Sequence, residues 1–323
     1  MLCEDGDLHR IRPFEPLFRN PHVLTILGNF WPRGFDFTKF QPQRHLIQTD
    51  PDTQVLVVSA QPEREPVGEV VLLHGLEGAA DSGYMVSMAW HALQAGFIAH
   101  RFHMRTCGGT AHLAKTLYHA GLTHDLRHFL LERRKAGSRL PLFLIGFSLG
   151  GKVALKMAGE LGATDLIQGV AAVSTPLDLA ACTRRIHDRE NLVYERRFVK
   201  RMKSRLLSTG RYTAQDLAGL DSIWLIDDKV TAPSFGFGTA DNYYATQSAQ
   251  NFLADIRVPT QLIQAKDDTF IPFSIYSHSA IRGNPHLRLM APDYGGHLGF
   301  LSRRGQRFWL DDEVVAFLKD CVQ

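Results

Sequence analysis

The sequence predicts an α/β protein with a mostly parallel central sheet flanked by helices. Short apolar runs such as EVVLLHG and PLFLIG suit strands that are buried on both faces. Stretches of helical length separate these runs, and strands alternating with helices of about 10–15 residues are typical of a parallel sheet. The 323 residues are 45% hydrophobic and 21% charged, so the chain can bury a large core.

The predicted elements follow one another along the chain. Residues 1–43 form an irregular arm rich in aromatic residues and prolines, which we expect to pack on the core. RHLIQTD and QVLVVSA alternate in polarity and predict two strands around a Pro-Asp turn. Further strands are predicted at EVVLLHG, FIAHRFHM, PLFLIG, GVAAVST, PTQLIQA and HLRLMA. Helices are predicted at 85–95, at 123–135, from Leu149 onward and at 306–318.

The alternation is interrupted in the middle of the chain. Residues 44–177 and 257–323 carry the strands of the core, whereas residues 178–256 are mostly helical and polar with no clear strand. We expect this middle segment to be a helical insertion that covers the sheet edge as a lid. For the aromatic arm, lining an acyl-chain pocket or touching a membrane surface is an alternative to simple packing.

The strongest local signal is a serine in a short glycine-rich turn. Residues 146–150 match G-x-S-x-G, with PLFLI directly before them and GKVALKMAGEL spanning the following helix. An α/β-hydrolase nucleophile requires this strand–turn–helix setting. Small glycines permit the sharp turn, and the helix N-terminus favours negative charge developing at the serine. We therefore predict Ser148 as the nucleophile; a helix-capping serine in an ordinary turn is the alternative.

A serine hydroxyl needs a general base and a carboxylate that orients this base. The chain order in this fold is serine, acid, histidine. Among 15 histidines, His297 lies in the glycine-rich segment YGGHLGF after the final predicted strand, and we predict it as the base. The acid should follow PTQLIQA, where Asp267 and Asp268 compete. The D-x-x-x-P spacing to Pro272 favours Asp268, and Asp267 would then orient or cap the loop.

Acyl transfer creates a tetrahedral oxyanion, which needs preorganised N–H donors. We predict the backbone amide of Leu149, directly after the nucleophile, and that of Leu76 in the segment HGLEG. Both roles belong to the backbone, so apolar side chains fit them. Taken by itself, HGLEG is also compatible with an ordinary turn.

Several segments together resemble the YheT-like branch of the α/β-hydrolases, which includes bacterial esterases and eukaryotic abhydrolase-domain lipid hydrolases. The segments that carry this resemblance cover most of the chain: NPHVLTIL (20–27), HGLEG (74–78), RTCGGT (105–110), YHAGLTHDL (118–126), GFSLGG (146–151), DNYYATQSA (241–249), AKDDTFIP (265–272) and GGHLGF (295–300). The resemblance implies carboxylic-ester hydrolysis by a triad of Ser148, Asp268 and His297. The chain departs from the family pattern at Thr269, where a proline is common, and in RTCGGT, where the family reads R-G-x-G-G.

Other features argue against other classes of site. The net charge of +3 does not indicate a nucleic-acid partner. No phosphate-binding loop or dinucleotide fingerprint occurs in a suitable context, so we expect no cofactor. His124 and His128 have the spacing of zinc ligands on a helix, but no third ligand is evident, so we expect surface histidines and no metal. No C-x-x-C pair occurs, and we expect reduced thiols at all four cysteines: Cys3, Cys107, Cys182 and Cys321.

The chain carries no predicted export or membrane signal. Its first residues, MLCEDGDLHR, lack an apolar segment, and no apolar run approaches the roughly 20 residues that span a bilayer. We therefore expect a soluble, cytoplasmic protein, and the sequence does not fix its oligomeric state. The predicted lid has a basic segment, interpreted as a solvated helical face, with anionic headgroups or a phosphate-bearing substrate as the alternative. Its members are Arg184, Arg185, Arg189, Arg196, Arg197, Lys200, Arg201, Lys203 and Arg205.

The sequence thus predicts a serine carboxylic-ester hydrolase that acts through an acyl-enzyme on short- to medium-chain acyl or lipid esters. Acyl transfer to an alcohol is one alternative, because it uses the same intermediate and differs only in the acceptor. A non-catalytic binding protein on a hydrolase scaffold is another, since fold does not fix function. Such proteins usually lose a member of the triad, whereas all three are present here.

Overall fold

Eight strands form the centre of the computed structural model, which describes residues 13–322. Residues 1–12 of the predicted arm, including Cys3, and Gln323 lie outside the described residues. In chain order the strands are β1 (Gln43–Asp50), β2 (Thr53–Ala60), β3 (Gly68–Leu73), β4 (Phe97–Phe102), β5 (Leu142–Phe147), β6 (Gly169–Val173), β7 (Thr260–Ile263) and β8 (Leu287–Met290).

The strands make one sheet in the order β1-β2-β4-β3-β5-β6-β7-β8. β2 runs antiparallel to both of its neighbours, β1 and β4, and every other neighbouring pair is parallel. β3, β4 and β5 are buried along their whole length, as continuous apolar runs predict. The predicted mostly parallel sheet is therefore confirmed.

Helices cover the sheet and fill the segment between β6 and β7. They are α1 (Pro21–Phe30), α2 (Gly83–Gln94), α3 (His124–Lys135), α4 (Leu149–Leu161), α5 (Leu179–His187), α6 (Leu192–Ser208), α7 (Ile223–Ile226), α8 (Ala232–Ser234), α9 (Ala240–Gln247), α10 (Ser279–Gly283) and α11 (Trp309–Val322). A π-helical turn, Asp227–Thr231, joins α7 to α8. The last helix, predicted at 306–318, lies further toward the C-terminus.

Alternate strand residues enter two hydrophobic cores, one on each face of the sheet. Val71 and Leu144 point to the face that α3 and α4 cover. Their chain neighbours Val70 and Ile145 point to the opposite face, which α2 and α11 cover. This layering holds the carboxyl ends of β3 and β5 rigidly side by side, where the predicted site residues follow.

The prediction that residues 1–43 are irregular is wrong for α1. Asn20 caps this helix by accepting a hydrogen bond from the amide of Val23 at 3.0 Å, and Pro21 occupies its first turn. Asparagine at the cap and proline at the first helical position are common start signals of a helix. Leu24, Thr25 and Gly28 form the buried side of α1. The described part of the arm, residues 13–43, is therefore partly helical and packs on the core.

Residues 178–256 lie between β6 and β7 and contain α5 to α9, with no strand in this described segment. α6 and the following residues share a small hydrophobic core of their own, built from Val199, Met202, Leu206, Leu217 and Ile223 among others. The segment between β6 and β7 is therefore helical. Its role as a lid stays a prediction.

None of the helices among residues 13–322 combines the length and the hydropathy needed to cross a lipid bilayer.

Candidate active site

The turn between β5 and α4 holds Ser148 in a conformation that side chains rarely adopt. Ser148 has φ +53° and ψ −120°, and its amide donates to the carbonyl oxygen of Val173 at 2.8 Å. A Cβ atom on Gly150 would lie 2.2 Å from the carbonyl oxygen of Leu73, and one on Gly146 would lie 2.4 Å from the oxygen of Gly150. The packing itself therefore requires the two glycines of the motif.

Three side chains predicted from separate parts of the sequence form one hydrogen-bonded chain. His297 Nε2 lies 3.0 Å from Ser148 Oγ, and His297 Nδ1 lies 3.0 Å from Asp268 Oδ2. The carboxylate is fully buried and the imidazole is only 9% exposed. A carboxylate on Nδ1 favours the tautomer whose Nε2 can accept the serine proton. The geometry therefore suits base-assisted attack by a serine hydroxyl.

Asp268 faces the imidazole, and its neighbour Asp267 does not. The carboxylate of Asp268 also accepts the backbone amide of Phe270 at 2.8 Å, which fixes its orientation. Asp267 instead accepts the amide of Gly296 at 2.8 Å, and burial raises the pKa of this second carboxyl. The two aspartates therefore have different contacts: Asp268 contacts the imidazole of His297, and Asp267 holds the loop that carries it.

The loop of His297 packs directly on α1. The amide of His297 donates to Thr25 Oγ1 at 2.9 Å. A Cβ atom on Gly299 would lie 2.2 Å from the carbonyl oxygen of Leu24, and one on Gly28 would lie 2.6 Å from the Cα atom of Gly299. The backbone of α1 and the backbone of the His297 loop are thus in direct contact, and α1 positions the histidine.

The loop after β3 brings further backbone amides to Ser148. A Cβ atom on Gly75 would lie 3.2 Å from Ser148 Cβ. Within residues 13–322, the amides of Leu76 and Leu149 have no hydrogen-bond partner, as an oxyanion site requires before the reaction. His74 steadies the loop by donating from Nδ1 to the carbonyl oxygen of Gly75 at 2.8 Å. Burial lowers the pKa of His74 to about 4, so this imidazole is neutral near pH 7.

A buried ion pair connects the same loop to α6. Glu77, the residue after Leu76, accepts Arg205 Nε at 2.8 Å, and the two side chains are only 4% and 8% exposed. The guanidinium of Arg205 also lies 4.8 Å from the ring centroid of Tyr118. One turn earlier, Arg201 donates to the carbonyl oxygen of Glu77. The expectation of a solvated basic face is therefore wrong for Arg205. Its side chain is buried, and the carboxylate of Glu77 compensates the buried positive charge.

A first cavity extends from Ser148 under the insertion. Its lining is largely apolar, and α5, α6 and the loop after β7 contribute nine of its 22 residues. Asp227, in the π-helical turn, is a polar exception. Burial raises the pKa of Asp227 to about 6, and its carboxylate accepts the hydroxyl of Tyr244 at 2.7 Å. The cavity fits an apolar chain better than a charged one.

Two buried lysines of α4 hold another wall of the first cavity. Lys152 Nζ donates to the carbonyl oxygen of Ala120 at 2.8 Å, and Lys156 Nζ donates to that of Gly121 at 2.7 Å. His119 lies next to these residues and lines the cavity. Burial, reinforced by the two ammonium groups, lowers the pKa of His119 to about 3. This wall therefore presents a neutral imidazole to the cavity.

His124 groups with two carboxylates, Asp50 and Asp125, and the three side chains could hold a metal ion. Arg105 already spans both carboxylates, with its Nε 2.6 Å from Asp125 and its Nη2 bonded to Asp50. His128 is not part of this group. The guanidinium supplies the positive charge here, so the cluster supports a structural role.

Several residues that shape the site were not predicted. Thr25 lies on α1, whose start signal Asn20-Pro21 is readable in the sequence. Glu77 belongs to the HGLEG segment, but its partner Arg205 is 128 residues away, and no local pattern connects them. Only the fold brings these two side chains together.

The sheet order, the serine at a strand–turn–helix and its hydrogen-bonded histidine are those of the α/β-hydrolases, a class of serine hydrolases. The profile of the Hydrolase_4 family, described as serine aminopeptidase, S33, matches residues 64–277. The chain therefore belongs to this family, and the predicted enzyme class, a serine hydrolase, is confirmed.

Curated relatives place the chain among esterase- and lipase-type members. It is 28% identical over 311 residues to YheT of Escherichia coli K12, which is named as an esterase; the alignment covers 93% of this chain and 91% of YheT. It is 26% identical to a monoacylglycerol lipase of Saccharomyces cerevisiae, over 77% of this chain and 58% of that protein. It is 25% identical to phospholipase ABHD3 of Mus musculus, over 72% of this chain and 58% of that protein. The predicted resemblance to the YheT-like branch is confirmed.

Solved structures share the fold. The Pyrococcus furiosus esterase Pf2001 superposes with a TM-score of 0.61 at 16% identity, over 89% of this chain and 96% of that chain. The 2,6-dihydroxy-pseudo-oxynicotine hydrolase gives a TM-score of 0.59 at 17% identity, over 85% and 67% of the two chains.

Proposed function

We propose that this protein is a serine carboxylic-ester hydrolase that works through an acyl-enzyme. Ser148 is the nucleophile, His297 the general base and Asp268 the carboxylate that orients it, while the amides of Leu76 and Leu149 bind the oxyanion. The observation that carries the proposal is the imidazole of His297, held 3.0 Å from both the serine hydroxyl and the buried carboxylate. This imidazole lies at the mouth of a largely apolar cavity.

The reaction proceeds in two halves. His297 Nε2 takes the proton of Ser148 Oγ as this oxygen attacks the ester carbonyl carbon, and the carbonyl oxygen becomes an oxyanion. The carbon–oxygen bond to the alcohol breaks, and the alcohol leaves with the proton from His297. Water then attacks the acyl-enzyme with His297 as base again, and the acid is released as the serine recovers its proton.

The substrates that the site favours are short- to medium-chain acyl esters or lipid esters. The first cavity takes the acyl chain, because each buried methylene contributes about 0.8 kcal/mol. Relatives named as an esterase, a monoacylglycerol lipase and a phospholipase support the same class. The insertion acts as a lid that excludes water from the acyl-enzyme. Contact with a membrane surface would involve the exposed side chains of Val23, Ile26 and Phe30 on α1 and of Val193 on α6.

The test is hydrolysis of p-nitrophenyl esters from acetate to palmitate by wild type and by Ser148→Ala. We expect kcat/KM to rise by up to about fourfold per methylene until the first cavity is full. Ser148→Ala should lose this activity, and Ser277→Ala, which removes an exposed hydroxyl elsewhere, should retain it. A fluorophosphonate probe should label wild type and not Ser148→Ala.

Equal rates for wild type and Ser148→Ala would refute the assignment of the nucleophile. Activity toward an amide analogue but none toward any ester would refute ester hydrolysis. Adding ethanol separates hydrolysis from acyl transfer, because an acyltransferase forms the ethyl ester at the expense of the free acid.

A further inference from the structure

A second cavity meets the first at the candidate nucleophile. Both cavities contain Ser148 and His297 in their walls, and they also share Leu76, Phe198 and Phe270. The second cavity continues toward α1 and the outer side of α6. An ester bound with its carbonyl at Ser148 can therefore place its two parts in two different cavities.

The two cavities differ in charge. Arg197 and Arg201 line the second cavity, and its lining includes no aspartate or glutamate. Neither arginine forms an ion pair with a described residue, whereas Lys203 and Arg205 on the same helix do. The first cavity is lined by Asp227 and by Arg205, whose guanidinium is neutralised by its ion pair with Glu77. An anionic group is therefore favoured in the second cavity and disfavoured in the first.

Both arginines are held in place without being neutralised. The guanidinium of Arg197 lies 5.0 Å from the ring centroid of Phe30. Arg201 donates one N–H to the carbonyl oxygen of Glu77. A guanidinium has five N–H donors, so most of them remain available to an anion. An arginine fork matches the oxygens of a carboxylate or a phosphate.

We propose that the second cavity binds the alcohol part of the ester and that Arg197 and Arg201 select an alcohol bearing a carboxylate or a phosphate. This inference rests on the proposed function, because it assumes that Ser148 divides the substrate between the two cavities. The acyl chain occupies the first cavity and the anionic alcohol occupies the second. Hydrolysis then releases an anionic alcohol and a fatty acid.

The test compares three octanoyl esters: 1-octanoylglycerol, 1-octanoylglycerol 3-phosphate and the octanoyl ester of 3-hydroxypropanoate. The quantity measured is the ratio of kcat/KM for each anionic ester to kcat/KM for the neutral one. Arg197→Gln/Arg201→Gln should lower this ratio by about tenfold. The matched control is Arg196→Gln/Lys200→Gln, which removes two exposed charges from the same helix outside the cavity and should leave the ratio unchanged.

The two anionic esters distinguish the source of the negative charge. A larger loss for the phosphate ester assigns a phosphate, and a larger loss for the carboxylate ester assigns a carboxylate. An unchanged ratio in Arg197→Gln/Arg201→Gln would overturn the proposal. An equal loss in both double variants would also overturn it, because the anionic esters would then be responding to the overall positive charge of the helix surface.

Binding separates this proposal from the proposed function. Calorimetry measures the affinity of Ser148→Ala for 1-octanoylglycerol 3-phosphate, with and without the arginine substitutions. Binding weakened about tenfold by these substitutions supports the anion site even if wild type hydrolyses no ester. Ester hydrolysis that depends on Ser148 but shows no preference for charge would uphold the function and reject the anion site.

Discussion

The buried pair of Arg205 and Glu77 allows a quantitative prediction about how the insertion supports the catalytic loop. Arg205→Met removes the positive charge and keeps most of the chain length. It leaves a carboxylate that is only 4% exposed without its ionic partner. Removing one member of a buried pair costs about 3–5 kcal/mol. We expect the free energy of unfolding to fall by that amount.

The control is Lys203→Met on the same helix. Lys203 pairs with Asp221 at 3.2 Å, but these side chains are 25% and 81% exposed. Exposed pairs contribute at most about 1 kcal/mol, so this variant should differ little from wild type. The double variant Glu77→Gln/Arg205→Met should recover most of the lost stability, because no buried charge remains in it.

Urea unfolding followed by circular dichroism measures these differences, with equal slopes as the condition for comparing free energies. Ester turnover gives a second reading. Glu77 follows Leu76, whose amide is the proposed oxyanion donor, so Arg205→Met should lower kcat more than it changes KM. The loss in kcat should be smaller than the roughly 100–1,000-fold loss caused by removing an entire oxyanion donor. Equal stabilities for Arg205→Met and Lys203→Met, or no gain in the double variant, would refute the reasoning.

Three further predictions concern other parts of the site and the core. Asp268→Asn should lower kcat by about 1,000–10,000-fold, because the imidazole takes the wrong tautomer, whereas Asp267→Asn should lower it less than tenfold; similar losses in ester assays of the two would contradict the assignment of the acid. Thr25→Val leaves the amide of His297 without its acceptor and should destabilise the fold by about 1–3 kcal/mol; Thr25→Ser should restore stability and turnover, and its failure to do so would exclude the hydrogen bond as the cause. Burial raises the pKa of Asp311 from 3.8 to about 7, so the folded protein binds more protons than the unfolded chain between these values and loses stability as pH rises through that window. Relative to wild type, Asp311→Asn should therefore gain about 3 kcal/mol between pH 4 and pH 7 in urea titrations. A difference that does not vary with pH would exclude this carboxyl as the source.

The elements that the sequence predicted best are those with a short-range signal. An apolar run such as that of β5 is buried on both faces whatever its neighbours are, so its pattern alone identifies it. The turn at Ser148 needs glycines within two positions of the serine, and this spacing can be read directly. His297 and Asp268 could be picked out as candidates because their loops follow recognisable strands, and the structure brings both into one hydrogen-bonded chain with Ser148.

Features that depend on distant contacts were not readable. α1 has a clear start signal, but the aromatic and proline content of its segment predicts an irregular arm. Its packing on the His297 loop, which stabilises the helix, depends on residues far away in the chain. Arg205 looked like one more solvated charge because its burial depends on Glu77, far away in the chain. The antiparallel pairing of β2 with β4 likewise follows from tertiary packing, since the strand pattern alone does not specify partners.

The support that α1 gives to the His297 loop also sets when the candidate site can be assembled during synthesis of the chain. Thr25 and His297 are 272 residues apart, and the serine hydroxyl belongs to the middle of the chain. At about 5–20 residues per second, a ribosome needs roughly 15–60 s to make the intervening chain. Contacts of such long range also form late in folding. If the proposed roles hold, the nascent chain therefore carries Ser148 without its base while the 149 residues up to His297 are made. The site is then complete only when β8 and the following loop have emerged and packed against α1.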